Sequence, residues 1–261
     1  MSVKLKVMSF NLRVRTQNDG INIFDNRTER ISEVIKQESP SLIGFQEVTD
    51  YMRDWLQAEL RSEYTLIGCG RMADYTGEST VLAYRTCDFL LLNAETFWLS
   101  GTPRVPGSRF EVDQSHCPRI CTCVTLKHRN AEKLLAFYNT HTDHLGRTAR
   151  LLEVTQIMQH ISQNVPQNAN VVITGDMNAT PQSPEIIAYT TSIPDRHLVD
   201  CTESIGGTFH GFGKRTEYIK IDYIFTDAKT VPSESYAVAD IPKEGIYMSD
   251  HLPVCAYIEL D

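Results

Sequence analysis

Short apolar, β-branched and aromatic runs recur along the whole chain, and several of them end on an Asn, Asp, Glu or His. Residues 3–10 open with apolar–polar alternation, the period of a half-buried strand. Runs at 42–45, 64–67, 80–84, 89–92, 121–126, 134–138, 171–174, 222–225 and 254–258 read in the same way. So many strands in 261 residues are too many for a simple alternation of strand and helix around one parallel sheet. Hairpin-like neighbours, 80–85 with 89–98 and 120–127 with 133–139, predict antiparallel pairs. Helices fit between some runs. The spacing Asn26-Arg-Thr-Glu29 has the form of a helix-starting box ahead of Ile31, Val34 and Ile35. Met52, Trp55, Leu56 and Leu60 keep helical period, as do Leu151, Val154, Met158 and Ile161. Ser183-Pro184 reads as a cap followed by proline in the first helical position. The expectation is an α/β architecture, two packed, mostly antiparallel sheets with helices outside, forming a single domain over 1–261. The least regular segment, 100–118, holds Pro103, Pro106, Gly107 and Pro118, and loops of that length in compact domains tend to be functional.

Composition excludes several function classes. Hydrophobic residues at 41% and charged residues at 22% are near globular averages, which argues against long disorder. The first six residues lack the apolar run of a signal peptide, and the long stretch 155–175 without Asp, Glu, Lys or Arg is rich in Gln and Asn and broken by Pro166. No membrane role is expected. Seven cysteines, an odd number without a Cys-x-x-Cys, suit a reducing cytoplasm better than a disulfide framework. The net charge of −8 is wrong for a protein that grips long nucleic acid by phosphate neutralisation alone. If the protein handles phosphates, a bound cation has to supply part of the positive charge.

The polar residues at the strand ends carry the chemistry. Asn11 follows the first run, Gln46-Glu47 the second, His141 the run at 134–138, and Asp176 and Asn178 the run at 171–174, while Asp250-His251 precedes the last. One such residue is ordinarily a turn former or cap. Five groups drawn from Asn, Asp, Glu and His make a set of hard-cation ligands and proton-transfer groups.

Read in order, Ser9-Phe-Asn11, Gln46-Glu47-Val, Asn139-Thr-His141-Thr-Asp-His144, Gly175-Asp176-Met-Asn178, Ile221-Asp222-Tyr-Ile-Phe and Ser249-Asp250-His251 resemble the endonuclease/exonuclease/phosphatase superfamily of divalent-metal phosphohydrolases. Within it, the chain looks closest to bacterial stand-alone members whose catalytic domain resembles the deadenylase-type branch. The resemblance implies a four-layer α/β sandwich of two facing sheets flanked by helices. It implies Mg²⁺ or Mn²⁺ held by Glu47 and Asn11, with Asp250 as a further ligand or support. Asp176 would orient or deprotonate the attacking water, Asn178 would hold the scissile phosphate, and His141 and His251 would bind phosphoryl oxygens. Asp222 would pair with an imidazole. The chemistry of each residue type agrees, since a carboxylate ending an apolar strand is costly unless something pairs it.

Other residues are balanced between readings. Arg13 stands where some members of the superfamily carry an acid. It either binds substrate phosphate bidentately or pairs with a site acid. Arg119, leading out of the irregular loop, reaches for phosphate or makes an ordinary ion pair. Phe209 and Phe212, set among glycines in 206–213, stack a base or simply shape a hairpin. Asp143 and His144 read better as a helix start than as site residues. His116, Cys117, Cys121 and Cys123 cluster without the paired spacing of structural zinc, so small apolar packing is the better reading.

The function expected is in-line attack of water on a phosphate ester, most directly a nucleotide or single-stranded RNA trimmed from its 3′ end, with no obligate protein partner. A sugar-, inositol- or lipid-phosphate hydrolase would use the same site, and a non-catalytic binding module should have lost one of its polar groups.

Overall fold

The computed structural model describes residues 2–193, 196–230 and 234–260. Thirteen strands and four α-helices follow one another in these residues. The first sheet holds β1 (Val3–Asn11), β2 (Leu42–Val48), β3 (Tyr64–Ile67), β4 (Ser79–Arg85), β11 (Lys229–Thr230), β12 (Tyr236–Ala237) and β13 (Val254–Leu260). The second holds β5 (Phe89–Trp98), β6 (Ile120–His128), β7 (Leu134–His141), β8 (Asn170–Asp176), β9 (Val199–Asp200) and β10 (Asp222–Thr226). Helices α1 (Phe24–Glu38), α2 (Asp50–Leu60), α3 (Arg147–Asn164) and α4 (Pro184–Thr191) flank them, giving the expected sandwich. Within each sheet one central pair is parallel, β1 with β2 and β7 with β8, and the other pairs are antiparallel.

Three apolar layers hold the sandwich together. Leu5, Val7, Leu42, Leu82, Phe137, Val172, Ile224 and Ile258 belong to the layer where the sheets meet. Phe10, Ile31, Ile35, Phe45, Met52 and Leu56 fill the space under α1 and α2, and Tyr138, Ile157, Ile161, Ile173 and Phe225 that under α3 and α4. A polar seam crosses the inter-sheet layer at one end. Gln46 Nε2 donates to Asn139 Oδ1 at 2.7 Å, Thr174 Oγ1 donates to the same oxygen at 3.1 Å, and Asn139 Nδ2 donates to the carbonyls of Phe45 and Val81. Gly44 makes this close approach possible, because a Cβ there would lie 2.0 Å from Thr174 Oγ1.

The hairpin expected between 80–85 and 89–98 does not form. β4 pairs with β2 and β3, whereas β5 starts the other sheet and pairs with β6. Residues 86–88 carry the chain from one sheet to the other, and the Tyr84 and Phe89 rings meet edge-on across that step. Apolar alternation marks a strand but not the sheet that receives it. The pair 120–127 with 133–139 forms as expected, as β6 and β7.

The helix-starting box at 26–29 is also displaced. α1 begins at Phe24, and Arg27 is fully buried, donating to the carbonyls of Asn22, Leu12, Met248 and Arg13. Ser183 is the N-cap residue of α4 with Pro184 in the first turn, although its side chain makes no capping hydrogen bond. On α3, Val154, Met158 and Ile161 face the core, but Leu151 is exposed and the stripe includes Ala149, Glu153 and Ile157 instead.

Glu153 has a consequence for stability. Its Oε2 accepts the Asp143 amide hydrogen at 2.8 Å, its Oε1 is buried without a partner, and burial pushes the carboxyl up to about 8. From the ordinary value of 4.5 up to about 8, the folded chain therefore holds a proton that the unfolded chain has lost. Stability should fall as pH rises through that window, by up to about 1.4 kcal/mol per pH unit from this group. Glu153→Gln is expected to flatten the decline and to be more stable than the parent at pH 8–9. Urea denaturation across pH 5–9 checks this, and parallel curves for the two proteins would contradict it.

Candidate active site

Both parallel pairs end at the same edge of the sandwich, and antiparallel strands enter the sheets there. In the register, Asn11 lies beside Gln46 on β1 and β2, His141 beside Asp176 on β7 and β8, and Asp222 opposite Asp176 on β10. Phe209 bridges to His251, just ahead of β13. Residues far apart in sequence are thus brought to one rim by strand length and pairing. Three of the non-glycine residues at positive φ, Arg13 (56°), Glu47 (60°) and Asn178 (45°), stand on this rim. Such backbone costs energy and persists where the surrounding structure holds a side chain in place.

A cleft of about 380 Å³ opens at the rim, lined among others by Glu47, His141, Asp176, Asn178, Asp250 and His251. Asn11 Nδ2 bridges the acids, donating to Glu47 Oε1 at 3.1 Å and Asp176 Oδ2 at 3.0 Å. Glu47 Oε2 accepts the Val14 amide hydrogen at 2.7 Å. Burial works against charge on Glu47, but this amide, His251, Arg13 and Asn11 together hold its carboxyl below the ordinary value. Asp176 is fully enclosed, and burial, only partly offset by His251, pushes it up to about 7. Burial also raises Asp250, whose Oδ2 lies 3.7 Å from Arg13 Nε.

The two histidines differ sharply. His251 donates from Nδ1 to Asp222 Oδ2 at 2.9 Å, and the same oxygen accepts the Thr208 hydroxyl at 2.5 Å. Burial disfavours its charged form, yet Asp222, Asp176 and Asp250 lift it to about 10, so it is a cation at neutral pH. Its Nε2 points to Asp176 Oδ2 at 3.8 Å. His141 is driven well below the ordinary value by burial and by Arg119 and is neutral. Asn178 Nδ2 contacts His141 Nε2 and donates to Thr142 O, both at 3.0 Å, so both of its amide hydrogens are engaged.

The four expected substrate contacts differ in their surroundings. Arg13 lines the cleft, but its fork is engaged by Asp19 through two 3.0 Å bonds. Arg119 is 3% exposed and makes the ion pair that was its alternative reading, Nε standing 3.6 Å from Asp143 Oδ2; Nη2 bonds His144 Nδ1 at 2.9 Å, and Nε and Nη1 have no hydrogen-bond partner. Phe209 lines the cleft, tilted against the His251 ring at 4.8 Å with Arg215 5.5 Å from its centroid. Phe212 is not among the lining residues and packs beside Tyr247 and Arg27.

Some lining residues were not expected. Arg71 and Glu78, joined at 2.7 Å, both line the cleft, and Trp98 Nε1 ties this segment down through Arg71 O. Neither ends a strand-like run, so strand-end reasoning passes over them. The irregular segment 100–118 delivers Cys117 to the cleft and caps α3, with Asp113 accepting the amide hydrogens of Thr148 and Ala149. Asp143 accepts those of Ser115, Leu145 and Gly146, a bracing role.

The donor set fits a hard divalent cation. Glu47, Glu78, Asp176 and Asp250 bring four carboxyls to one cleft, and Glu47, His141 and Asp176 offer ligand atoms within 4.8 Å of one another. Asn11 presents its amide nitrogen to the acids because its Oδ1 accepts the Arg13 amide hydrogen at 2.8 Å. To ligate a cation, its amide has to turn over.

A model of the endonuclease/exonuclease/phosphatase family matches residues 8–251. The chain belongs to this family. Its members are phosphoester hydrolases that depend on divalent metal. One solved member, the endonuclease/exonuclease/phosphatase from Bacteroides vulgatus, is 30% identical with a TM-score of 0.89, over 99% of this chain and 100% of its own. The mannosyl-6-phosphatase Bt3783 of Bacteroides thetaiotaomicron is 26% identical with a TM-score of 0.85, over 97% of this chain and 98% of its own. The human nocturnin catalytic domain, with bound sulfate, shares the fold at 16% identity and a TM-score of 0.72, over 100% of this chain and 97% of its own. Among the described residues, no helix of this family member is long and apolar enough to cross a membrane.

Proposed function

We propose that the protein hydrolyses a small phosphate monoester, of the sugar-phosphate kind, in a reducing compartment. The observation that carries this reading is the cleft itself: about 380 Å³, lined by the paired Arg71 and Glu78, with Phe209 as the one Phe, Tyr or Trp among the described residues that line it. Phe209 is already engaged by His251 and Arg215, and Phe212 is turned to Tyr247. Stacking of successive bases needs free aromatic platforms, so the preference for a nucleotide or RNA substrate drawn from the sequence weakens. The likeness to the Bacteroides mannosyl-6-phosphatase supports the choice. All seven cysteines are unpaired, in keeping with the compartment.

In this reading Glu47, Asp250 and a turned Asn11 hold Mg²⁺ or Mn²⁺, which when bound supplies charge neutralisation at the phosphate. Asp176, poised at about 7, accepts a proton from water as the water oxygen attacks phosphorus, and the ester P–O bond breaks with its electron pair going to the leaving sugar oxygen, which takes a proton from solvent. His251, kept charged by Asp222, donates from Nε2 to a phosphoryl oxygen as negative charge builds there. With both amide hydrogens of Asn178 engaged, it positions His141 instead of gripping phosphate. Arg119 Nη1, which has no hydrogen-bond partner while Nε faces Asp143, is the guanidinium donor suited to that grip.

A panel of hexose phosphates, mononucleotides, oligo-RNA and phospholipids, assayed with Mg²⁺ or Mn²⁺, tests the substrate class. Hexose phosphates are expected to have the highest kcat/KM. Phe209→Ala should lower kcat/KM to a similar degree on sugar phosphates and nucleotides, and Phe212→Ala should leave both nearly unchanged. A loss confined to nucleotides, of about 1–3 kcal/mol in affinity, would instead establish base stacking.

A further inference from the structure

On the outer face of the second sheet, away from the catalytic rim, Glu95, Cys123 and Tyr138 form a row across β5, β6 and β7. Glu95 pairs directly with Cys123, and Cys123 with Tyr138. His160 comes down onto this row from α3. Its ring is stacked on Phe97 at 4.4 Å and 11°, its Nδ1 meets the Tyr138 hydroxyl at 3.0 Å, and its Nε2 lies 3.3 Å from Glu95 Oε2. One ligand atom each from Glu95, Cys123 and His160 lie within 4.8 Å of one another.

We propose that Glu95, Cys123 and His160 form a second metal site, for a thiophilic divalent ion of the Zn²⁺ kind, distinct from the catalytic cleft. Zn²⁺ bonds of about 2.0–2.3 Å in a tetrahedron place ligand atoms about 3.3–3.8 Å apart, and this cluster needs little movement to reach that spacing. One carboxylate and one thiolate balance the charge of the ion, and imidazole, thiolate and carboxylate are all zinc ligands. On binding, the Cys123 S–H bond is replaced by a sulfur–metal bond and the proton leaves to solvent. The imidazole is preorganised. Phe97 fixes the plane of the ring, and the Tyr138 hydroxyl sits where an Nδ1–H of a metal-bound histidine needs an acceptor. The site also has an entrance, because β5 is an edge strand and the Glu95 side chain is 40% exposed. A fourth position is left for water. The zinc reading of His116, Cys117, Cys121 and Cys123 fails here: Cys117 lines the catalytic cleft, and only Cys123 of the four joins this cluster.

Cobalt titration of chelator-treated full-length protein in saturating Mg²⁺ tests the site. One equivalent of Co²⁺ should produce thiolate-to-cobalt charge-transfer absorption in the near ultraviolet together with tetrahedral visible bands, and Zn²⁺ should displace it. Cys123→Ser should abolish the charge-transfer band while leaving Mg²⁺-dependent hydrolysis and cooperative melting unchanged. His160→Gln keeps the thiol and should weaken Co²⁺ binding at least tenfold. A parent protein without the band would overturn the proposal, as would a band that persists at the same affinity in both variants.

Discussion

Chelation is expected to abolish phosphate-ester hydrolysis, and Mg²⁺ or Mn²⁺ to restore it. Four carboxyls, Glu47, Glu78, Asp176 and Asp250, line a cleft whose arginines are largely engaged, Arg13 by Asp19 and Arg71 by Glu78. A phosphate entering that cleft without a cation faces acids more than free positive charge. Two unit charges 4 Å apart interact by about 4 kcal/mol at an effective dielectric of 20, enough to suppress binding and reaction together. Glu47→Gln should raise the metal concentration for half-maximal activity at least tenfold and leave the far-ultraviolet circular dichroism unchanged. The glutamine keeps the size of the side chain and an oxygen for the Val14 amide hydrogen, so the loop at 12–14 stays anchored. Full activity in excess EDTA would remove the metal from the mechanism.

Asp176→Asn and His251→Ala should each lower kcat by a factor on the order of 10² or more, with KM changed far less. Asp176 is built into a fixed frame: Oδ1 accepts the Asn178 amide hydrogen at 2.9 Å and Oδ2 the Asn11 side-chain hydrogen at 3.0 Å. Asparagine fills the same space but cannot take a proton from water. In the proposed mechanism His251 acts through the charge that Asp222 maintains, so the alanine variant would remove a cation from the place where negative charge develops. Asp222→Asn should reproduce much of the loss without emptying the site. Single-turnover kinetics with the best substrate from the panel checks all three. A variant that kept kcat and raised only KM would place that residue in substrate binding and not in the chemical step.

The strand-end polar residues were legible because strand and rim are linked by simple geometry. A parallel pair ends at one edge, and an antiparallel neighbour begins there, so Asn11, Glu47, His141, Asp176, Asp222 and His251 had to meet if the runs paired as they do. Arg71 and Glu78 had no such signal. They come from the irregular stretch between β3 and β4 and reach the cleft through a backbone path that Trp98 fixes from another sheet. Gln46 and Asn139, placed by their motifs near the chemistry, instead join the sheets below it. A buried amide that crosses two sheets and one that faces a cleft look alike in sequence.

Alternation of apolar and polar residues and the polar strand ends determined by themselves that this chain forms a strand-rich α/β fold with a cluster of hard-cation ligands and proton-transfer groups at its strand ends, and the ordered motif blocks carried the resemblance to its family. Fold and cluster both depend on local periodicity and residue chemistry, which survive in a one-dimensional reading. Tertiary structure alone decided which sheet received β5, and it turned Phe212 toward Tyr247 and away from the cleft. It also set the opposite charge states of His141 and His251, since one ring is buried near Arg119 and the other is bonded to Asp222. Those outcomes depend on which groups distant in sequence stand within a few ångströms, where burial and charge act most strongly.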